Sequence, residues 1–198
     1  MKEILKKISR GIVKGAIFIY CKIVYRFKVV GKENIPKSGQ VIICANHKSF
    51  LDPPLIEITC GRYARFLAKE ELTKNKFLAL LGIVFDAILV KRDSKEVKAL
   101  KESLQTLKNE QCLVLFPEGT RNGLEKGEKV KDGAAFFALR TGAPVIPAGI
   151  KGGEKKNRKV TIKYGKHLDF SEYKGSKDKE ILDKVTEEIM KNIINLTK

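Results

Sequence analysis

Apolar residues recur along the chain in two rhythms. Leu5, Ile8, Ile12, Ala16, Ile19, Ile23 and Phe27 step by three or four, which places them on one face of a helix. Val41-Ile42-Ile43-Cys44-Ala45 and Cys112-Leu113-Val114-Leu115-Phe116 are continuous apolar runs, the pattern of strands covered on both faces. Shorter strand-like runs fall at 27–30, 65–68, 87–90, 144–150 and 159–164. Between them the sequence predicts helices. One runs over 52–59, with Asp52 as N-cap and proline in the first turn, and another over 75–81. A third starts at Ser94 and turns Val97, Leu100, Leu104 and Leu107 inward, and a fourth, over 133–141, is closed by Gly142. A last one carries Ile181, Val185, Ile189 and Ile193 at four-residue steps. Strands alternating with helices predict an α/β fold, a layered and largely parallel mixed sheet flanked by helices. Residues 1–27 form an amphipathic helix ahead of an α/β domain over 28–198, in which 31–39 is a loop and 151–159 a polar, basic turn.

Charge adds a partner question. Forty Lys and Arg against 23 Asp and Glu leave +17 over 198 residues. With 43% hydrophobic and 32% charged residues, the chain is too apolar for disorder and too charged for an integral membrane bundle. Nucleic acid, an anionic membrane surface, and acidic protein or phosphate-bearing substrates all suit such an excess. Placement of the charge favours the membrane. Lys2, Lys6, Lys7, Arg10, Lys14, Lys22, Arg26 and Lys28 accompany the first apolar stripe, with only Glu3 opposed. That pattern suits a helix lying in the headgroup plane; the competing arrangement is a helix packed on the protein's own core with its lysines solvated. The longest uncharged run there, 15–21, is too short for a signal peptide, and no stretch approaches the ~20 apolar residues of a spanning helix. Nucleic acid is disfavoured, because aromatics are 8% without tryptophan and no recognition motif occurs. Cys21, Cys44, Cys60 and Cys112 form no C-x-x-C pair and sit in apolar stretches, which fits buried thiols in a reducing, intracellular setting. No set of metal ligands is visible.

Candidate chemistry is concentrated after two buried runs. His167 has no motif around it and reads as a surface residue. His47 lies in Ala45-Asn46-His47-Lys48-Ser49-Phe50-Leu51-Asp52, past the carboxyl end of a buried strand, where ligands bind in α/β sheets. On a continuous helix His47 and Asp52 would point about 140° apart, so they meet only if the strand-to-helix turn folds back. In that case the carboxylate fixes the tautomer and leaves the second nitrogen as a base. Otherwise Asp52 is only a helix cap and His47 a loop residue. Phe116-Pro117-Glu118-Gly119-Thr120-Arg121-Asn122 follows the other buried run with a carboxylate, a hydroxyl and a guanidinium, either parts for holding a polyol and its phosphate or a polar turn. Lys91-Arg92 ends a third strand. The nucleophile elbow, the P-loop, the dinucleotide glycine motif and the H-E-x-x-H helix are all absent.

These residues resemble the glycerolipid acyltransferases, in particular the bacterial 1-acyl-sn-glycerol-3-phosphate type. N-H-x-x-x-x-D matches Asn46-His47-Lys48-Ser49-Phe50-Leu51-Asp52, F-P-E-G-T-R is complete from Phe116 to Arg121, and Thr141-Gly142-Ala143-Pro144-Val145-Ile146-Pro147 matches the V-x-P strand after its turn. Connecting text at Ala68-Lys69-Glu70-Glu71-Leu72 and Lys131-Asp132-Gly133-Ala134-Ala135 is also family-like. The G-A-F-P-V-x-R motif fits less well: Asp86 replaces the glycine and Leu89 the proline, while Arg92 carries over. The resemblance, over about 28–165, implies transfer of a fatty acyl group from acyl carrier protein or coenzyme A to the sn-2 hydroxyl of 1-acyl-glycerol-3-phosphate. It implies His47 as general base and Asp52 as its orienter, without an acyl-enzyme. Glu118, Gly119 and Thr120 would frame the glycerol and the reacting carbonyl, and Arg121, Arg92 and Lys69 would hold the phosphate. No cofactor beyond the thioester co-substrate is expected, and the setting is the cytoplasmic face of the cell membrane, peripherally bound. The same chemistry on glycerol 3-phosphate or a lyso-aminolipid, or a basic membrane-binding module without activity, are the alternatives.

Overall fold

A computed structural model of the chain describes residues 2–91, 97–153 and 159–198, with residues 2–7 described as helix backbone. Arg92, the start of the helix expected at Ser94, and most of the turn expected over 151–159 lie outside the described residues. Seven strands form one sheet: β1 (Arg26–Val30), β2 (Val41–Ala45), β3 (Ala64–Lys69), β4 (Ile88–Val90), β5 (Cys112–Leu115), β6 (Val145–Gly152) and β7 (Lys159–Tyr164). Their order is β1-β7-β6-β2-β5-β3-β4. Every neighbouring pair is parallel except β6 with β7. The α/β, largely parallel sheet expected from the sequence is therefore observed.

The apolar runs are continuous because two cores share each central strand. Ile42 and Cys44 of β2, with Leu113 and Leu115 of β5, face α4 (Val97–Lys108), α5 (Gly133–Thr141) and α6 (Lys179–Thr197). Val41, Ile43, Ala45, Cys112 and Val114 face the opposite core, beneath α1 (Lys2–Val24) and α2 (Asp52–Thr59). All four cysteines are free and buried. Burial pushes the Cys60 thiol up to about 11 and raises Cys44 and Cys112 as well, so none of these three is a thiolate at neutral pH.

Two helix faces differ from expectation. In α4 the buried residues are Ala99, Ser103, Thr106 and Leu107, whereas Val97 and Leu100 are exposed. The small hydroxyl residues go inside because each is satisfied within the helix: Ser103 donates to the Ala99 carbonyl and Thr106 to that of Glu102. Asp52 is the first residue of α2, with Leu51 at the cap. An N-cap side chain bonds the N–H groups that follow it, and Pro53 has none to offer, nor has Pro54. The carboxylate instead turns back toward the preceding loop.

The N-terminal helix is held to the domain through its polar side. Arg10 is buried and donates to Glu57 Oε1 from Nε (3.0 Å) and Nη2 (2.9 Å), and to the Ala64 carbonyl at 2.6 Å. Its guanidinium lies 3.7 Å from the centre of the Tyr63 ring. Lys14 approaches the same Glu57 oxygen at 3.0 Å. Burial pushes the Glu57 carboxyl up, and Arg10 and Lys14 pull it back. Ile17 and Cys21 complete the packed side. Ile8, Ile12, Ile19 and Ile23 of the predicted stripe lie on the opposite side and are exposed. Among the described residues no helix is long and apolar enough to cross a membrane.

Breaking a buried ion pair from one side leaves a charge without a partner, so Glu57→Ala should cost about 3–5 kcal/mol in denaturant unfolding. A loss below about 1 kcal/mol would place the pair among solvated surface bridges instead.

Candidate active site

Strands β2, β5, β3 and β4 are consecutive and parallel, so their carboxyl ends share one edge of the sheet. His47 follows β2, residues 117–121 follow β5, and Lys69 is the last residue of β3. The topology thus gathers segments that are far apart in sequence.

His47 and Asp52 meet. The imidazole Nδ1 is 3.0 Å from Asp52 Oδ2, and the same oxygen accepts the backbone N–H groups of Lys48 (2.6 Å) and Ser49 (2.7 Å). Asp52 is 1% exposed, at the positive end of α2. A carboxylate can only accept from the ring, so Nδ1 donates this hydrogen bond and Nε2 is the ring nitrogen left free of it. One face of the imidazole rests against Phe116, ring centres 4.5 Å apart.

Glu118 is buried and spans two loops. Oε1 accepts the backbone N–H of His47 at 3.0 Å, and Oε2 accepts that of Leu124 at 3.2 Å. In return the His47 carbonyl accepts from the Asn122 N–H at 2.6 Å. The turn that follows depends on Gly119, at φ 67°, and on Gly123, where an added Cβ would lie 2.6 Å from the Glu118 carbonyl oxygen. Asn46 ties the other flank, exchanging two hydrogen bonds with the backbone of Ile150.

A cavity of ≈ 770 Å³ opens in front of His47. The end of β3 and the turns after β2 and β5 supply Lys69, His47, Gly119, Thr120 and Arg121 to its wall, with Lys126 and Lys131 from further along the loop. Among the described residues the buried Thr120 hydroxyl has no hydrogen-bond partner. The Arg121 guanidinium lies 3.7 Å from the centre of the Phe50 ring, a cation–π contact that holds an otherwise exposed side chain in place. The apolar wall comes largely from α3 (Lys76–Val84) and β4, through Leu78, Leu81, Gly82, Phe85, Leu89 and Val90. Of the residues expected at the site, the structure brings together His47, Asp52, Lys69, Glu118, Gly119, Thr120 and Arg121.

Sequence reasoning placed a helix at 75–81 but missed that α3 lines the cavity, and it missed Phe50, Lys126 and Lys131 as site residues. The signal was present for α3, since the run from Phe77 to Phe85 has no polar face. At Asp86 the backbone has φ 56°, the left-handed region that glycine takes readily and aspartate tolerates. Arg65 steadies that strained position, donating Nε–H to the Asp86 carbonyl at 2.9 Å and pairing with its carboxylate at 3.2 Å.

A histidine–carboxylate pair thus stands at the edge of a parallel sheet, beside a cavity with cationic and apolar lining. The Acyltransferase family model covers residues 26–151, more than half of the chain, and the chain belongs to that family. It is 36% identical over 125 residues to a 1-acyl-sn-glycerol-3-phosphate acyltransferase of Borreliella burgdorferi, a match covering 60% of this chain and 48% of that protein. Against the Bacillus subtilis protein of the same name it is 27% identical over 175 residues, 85% of this chain and 87% of the relative. The fold resembles the crystal structure of the 1-acyl-sn-glycerophosphate acyltransferase PlsC from Thermotoga maritima, with TM-score 0.70 and 29% identity over 99% of this chain and 83% of that one.

Removing Glu118 strands the backbone amides of His47 and Leu124. Glu118→Ala should lower stability by about 1–3 kcal/mol and accelerate hydrogen exchange at the His47 and Leu124 amides, while amides in α6 exchange as before.

Proposed function

We propose that the protein transfers a fatty acyl group from a thioester, on acyl carrier protein or coenzyme A, to the sn-2 hydroxyl of 1-acyl-glycerol-3-phosphate. The observation that carries this reading is the His47–Asp52 pair beside a cavity with one cationic and one apolar wall. An amphiphile with a phosphate at one end and hydrocarbon at the other fits both walls.

The chemistry follows from the proton positions. Nε2 of His47 takes the proton of the acceptor hydroxyl as its oxygen attacks the thioester carbonyl, a contribution typically worth 10²–10⁴-fold. Asp52 holds the ring through Nδ1 and stabilises the imidazolium that forms. The tetrahedral intermediate collapses, the C–S bond breaks, and the imidazolium returns its proton to the leaving thiolate. An ester and a thiol result, and the enzyme forms no covalent bond. Gly119 and Thr120 frame the reacting groups, with the unpartnered Thr120 hydroxyl available to them. Glu118 acts behind them by holding the loop and the His47 backbone. Arg121, steadied on Phe50, and Lys69 receive the phosphate, together with Arg92 from the residues outside the description. The exposed stripe of α1 seats the enzyme peripherally on an anionic membrane at its cytoplasmic face, where acceptor and product reside.

The direct test is lipid product analysis after incubation with lysophosphatidate vesicles and each thioester donor. Phosphatidate should form, and His47→Ala or Asp52→Ala should remove nearly all of it without loss of fold. Near-normal turnover in either variant would refute the mechanism. Product from glycerol 3-phosphate or a lyso-aminolipid alone would move the same chemistry to another acceptor.

Arg121 should act on binding more than on chemistry. Arg121→Ala should raise KM for lysophosphatidate about tenfold or more at similar kcat. An unchanged KM would remove the phosphate role.

A further inference from the structure

Helix α3 carries apolar side chains on two faces. Leu78, Leu81 and Phe85, at its C-cap, line the cavity, whereas Phe77, Leu80 and Ile83 step by three along the outside and are 65%, 56% and 71% exposed. A helix on the surface of a globular domain normally exposes a polar face, and scattered single apolar residues need no explanation. Three large ones in a row on one turn after another do.

The surroundings say what covers them. α3 packs beside α1, whose Ile8, Ile12, Ile19 and Ile23 are exposed too. The two helices are tied near the C-cap of α3, where the Arg10 guanidinium lies 5.6 Å from the centre of the Phe85 ring. Lys74 and Lys76 flank the entry to α3 and are exposed on either side of its Asn75 cap. Exposed apolar side chains bordered by lysine are the composition of a helix lying among anionic headgroups. Protein interfaces, by contrast, are depleted of lysine.

We infer that α3 is a second helix seated in the headgroup layer, beside α1, with Phe77, Leu80 and Ile83 covered by lipid. The inference rests on the membrane reading of α1 and extends it to a helix whose other face forms the apolar wall of the active-site cavity. Docking of α3 brings that wall to the bilayer surface, where acyl chains are.

The chain contains no tryptophan, so Phe77→Trp introduces a single tryptophan, read by excitation near its red edge, in a conservative change. Ile12→Trp reports α1 in the same way, and Ile194→Trp, exposed on α6 against the opposite core, serves as control. Each full-length variant is mixed with phosphatidylcholine–phosphatidylglycerol vesicles bearing brominated acyl chains. Emission from the Phe77→Trp and Ile12→Trp variants should shift to the blue and be quenched, and that from the α6 variant should not. Leu80→Gln combined with Ile83→Gln, both compatible with a helix, should weaken vesicle partitioning about tenfold or more with melting temperature retained. Quenching in Ile12→Trp without quenching in Phe77→Trp overturns the role of α3 and leaves that of α1 standing. Failure of the unmodified chain to sediment with vesicles overturns the membrane reading itself. A concentration-dependent blue shift of Phe77→Trp in the absence of lipid assigns the face to a second copy, and also overturns the proposal.

Discussion

The site depends on immobilising one imidazole in a loop. Loops carry function because they are free to vary, yet a side chain that works from a loop must be held in one place. Here the conflict is resolved by anchoring His47 at every available point: ring nitrogen on Asp52, ring face on Phe116, N–H on Glu118, carbonyl on Asn122. Two buried carboxylates therefore organise the turn, one holding the side chain and one the main chain. Neither is wasted as an uncompensated charge, because each faces backbone N–H groups that would otherwise be stranded. The prolines after Asp52 contribute by what they lack. With Pro53 and Pro54 unable to donate to it, the carboxylate is left to the loop and the histidine.

The same helix links the site to the N-terminal element. α2 presents Asp52 to His47 at its start and Glu57 to Arg10 and Lys14 one turn and a half later. Using charge to hold α1 leaves its isoleucines unspent, and that division explains why an amphipathic helix packs on its domain through its polar side. A helix packed by its greasy stripe would have nothing apolar to offer a lipid surface. A buried ion pair is not a cheap way to gain stability, since desolvation cancels much of the attraction, so its value here lies in orientation.

Much of this was legible in the sequence. Strands β2 and β7 and helices α2 and α5 have the expected bounds, because continuous apolar runs, proline starts and a glycine cap are local signals. From spacing alone the pairing of His47 with Asp52 was one of two outcomes, because spacing does not say whether a turn folds back; it was the family resemblance that made it the expectation. The expected inward face of α4 held for Leu104 and Leu107 but not for Val97 and Leu100, because hydropathy treats Ser103 and Thr106 as outward, whereas their hydroxyls are satisfied by carbonyls four residues earlier. Phe50 and Lys131 were out of reach for a different reason. One stacks under Arg121 and the other passes within 3.3 Å of where a Cβ on Gly119 would sit, and both placements depend on contacts between separate loops.

Asp86 shows how a departure from a family pattern can preserve the geometry the pattern exists for. The position requires a left-handed backbone, which glycine reaches freely and aspartate reaches at some cost. Arg65 offsets that cost by bonding both the carbonyl and the carboxylate of Asp86, and through Glu102 it also ties the turn to α4. The turn joins α3 to β4, the two elements that supply most of the apolar wall, so its rigidity fixes the width of that wall relative to His47. Leu89, where the pattern has proline, sits on the edge strand with its side chain half exposed; it pairs with Ala68 of β3 on one side and has no strand on the other, and an edge strand tolerates either residue. The substitution at 86 is thus absorbed by a compensating arginine, and the one at 89 by the open edge of the sheet.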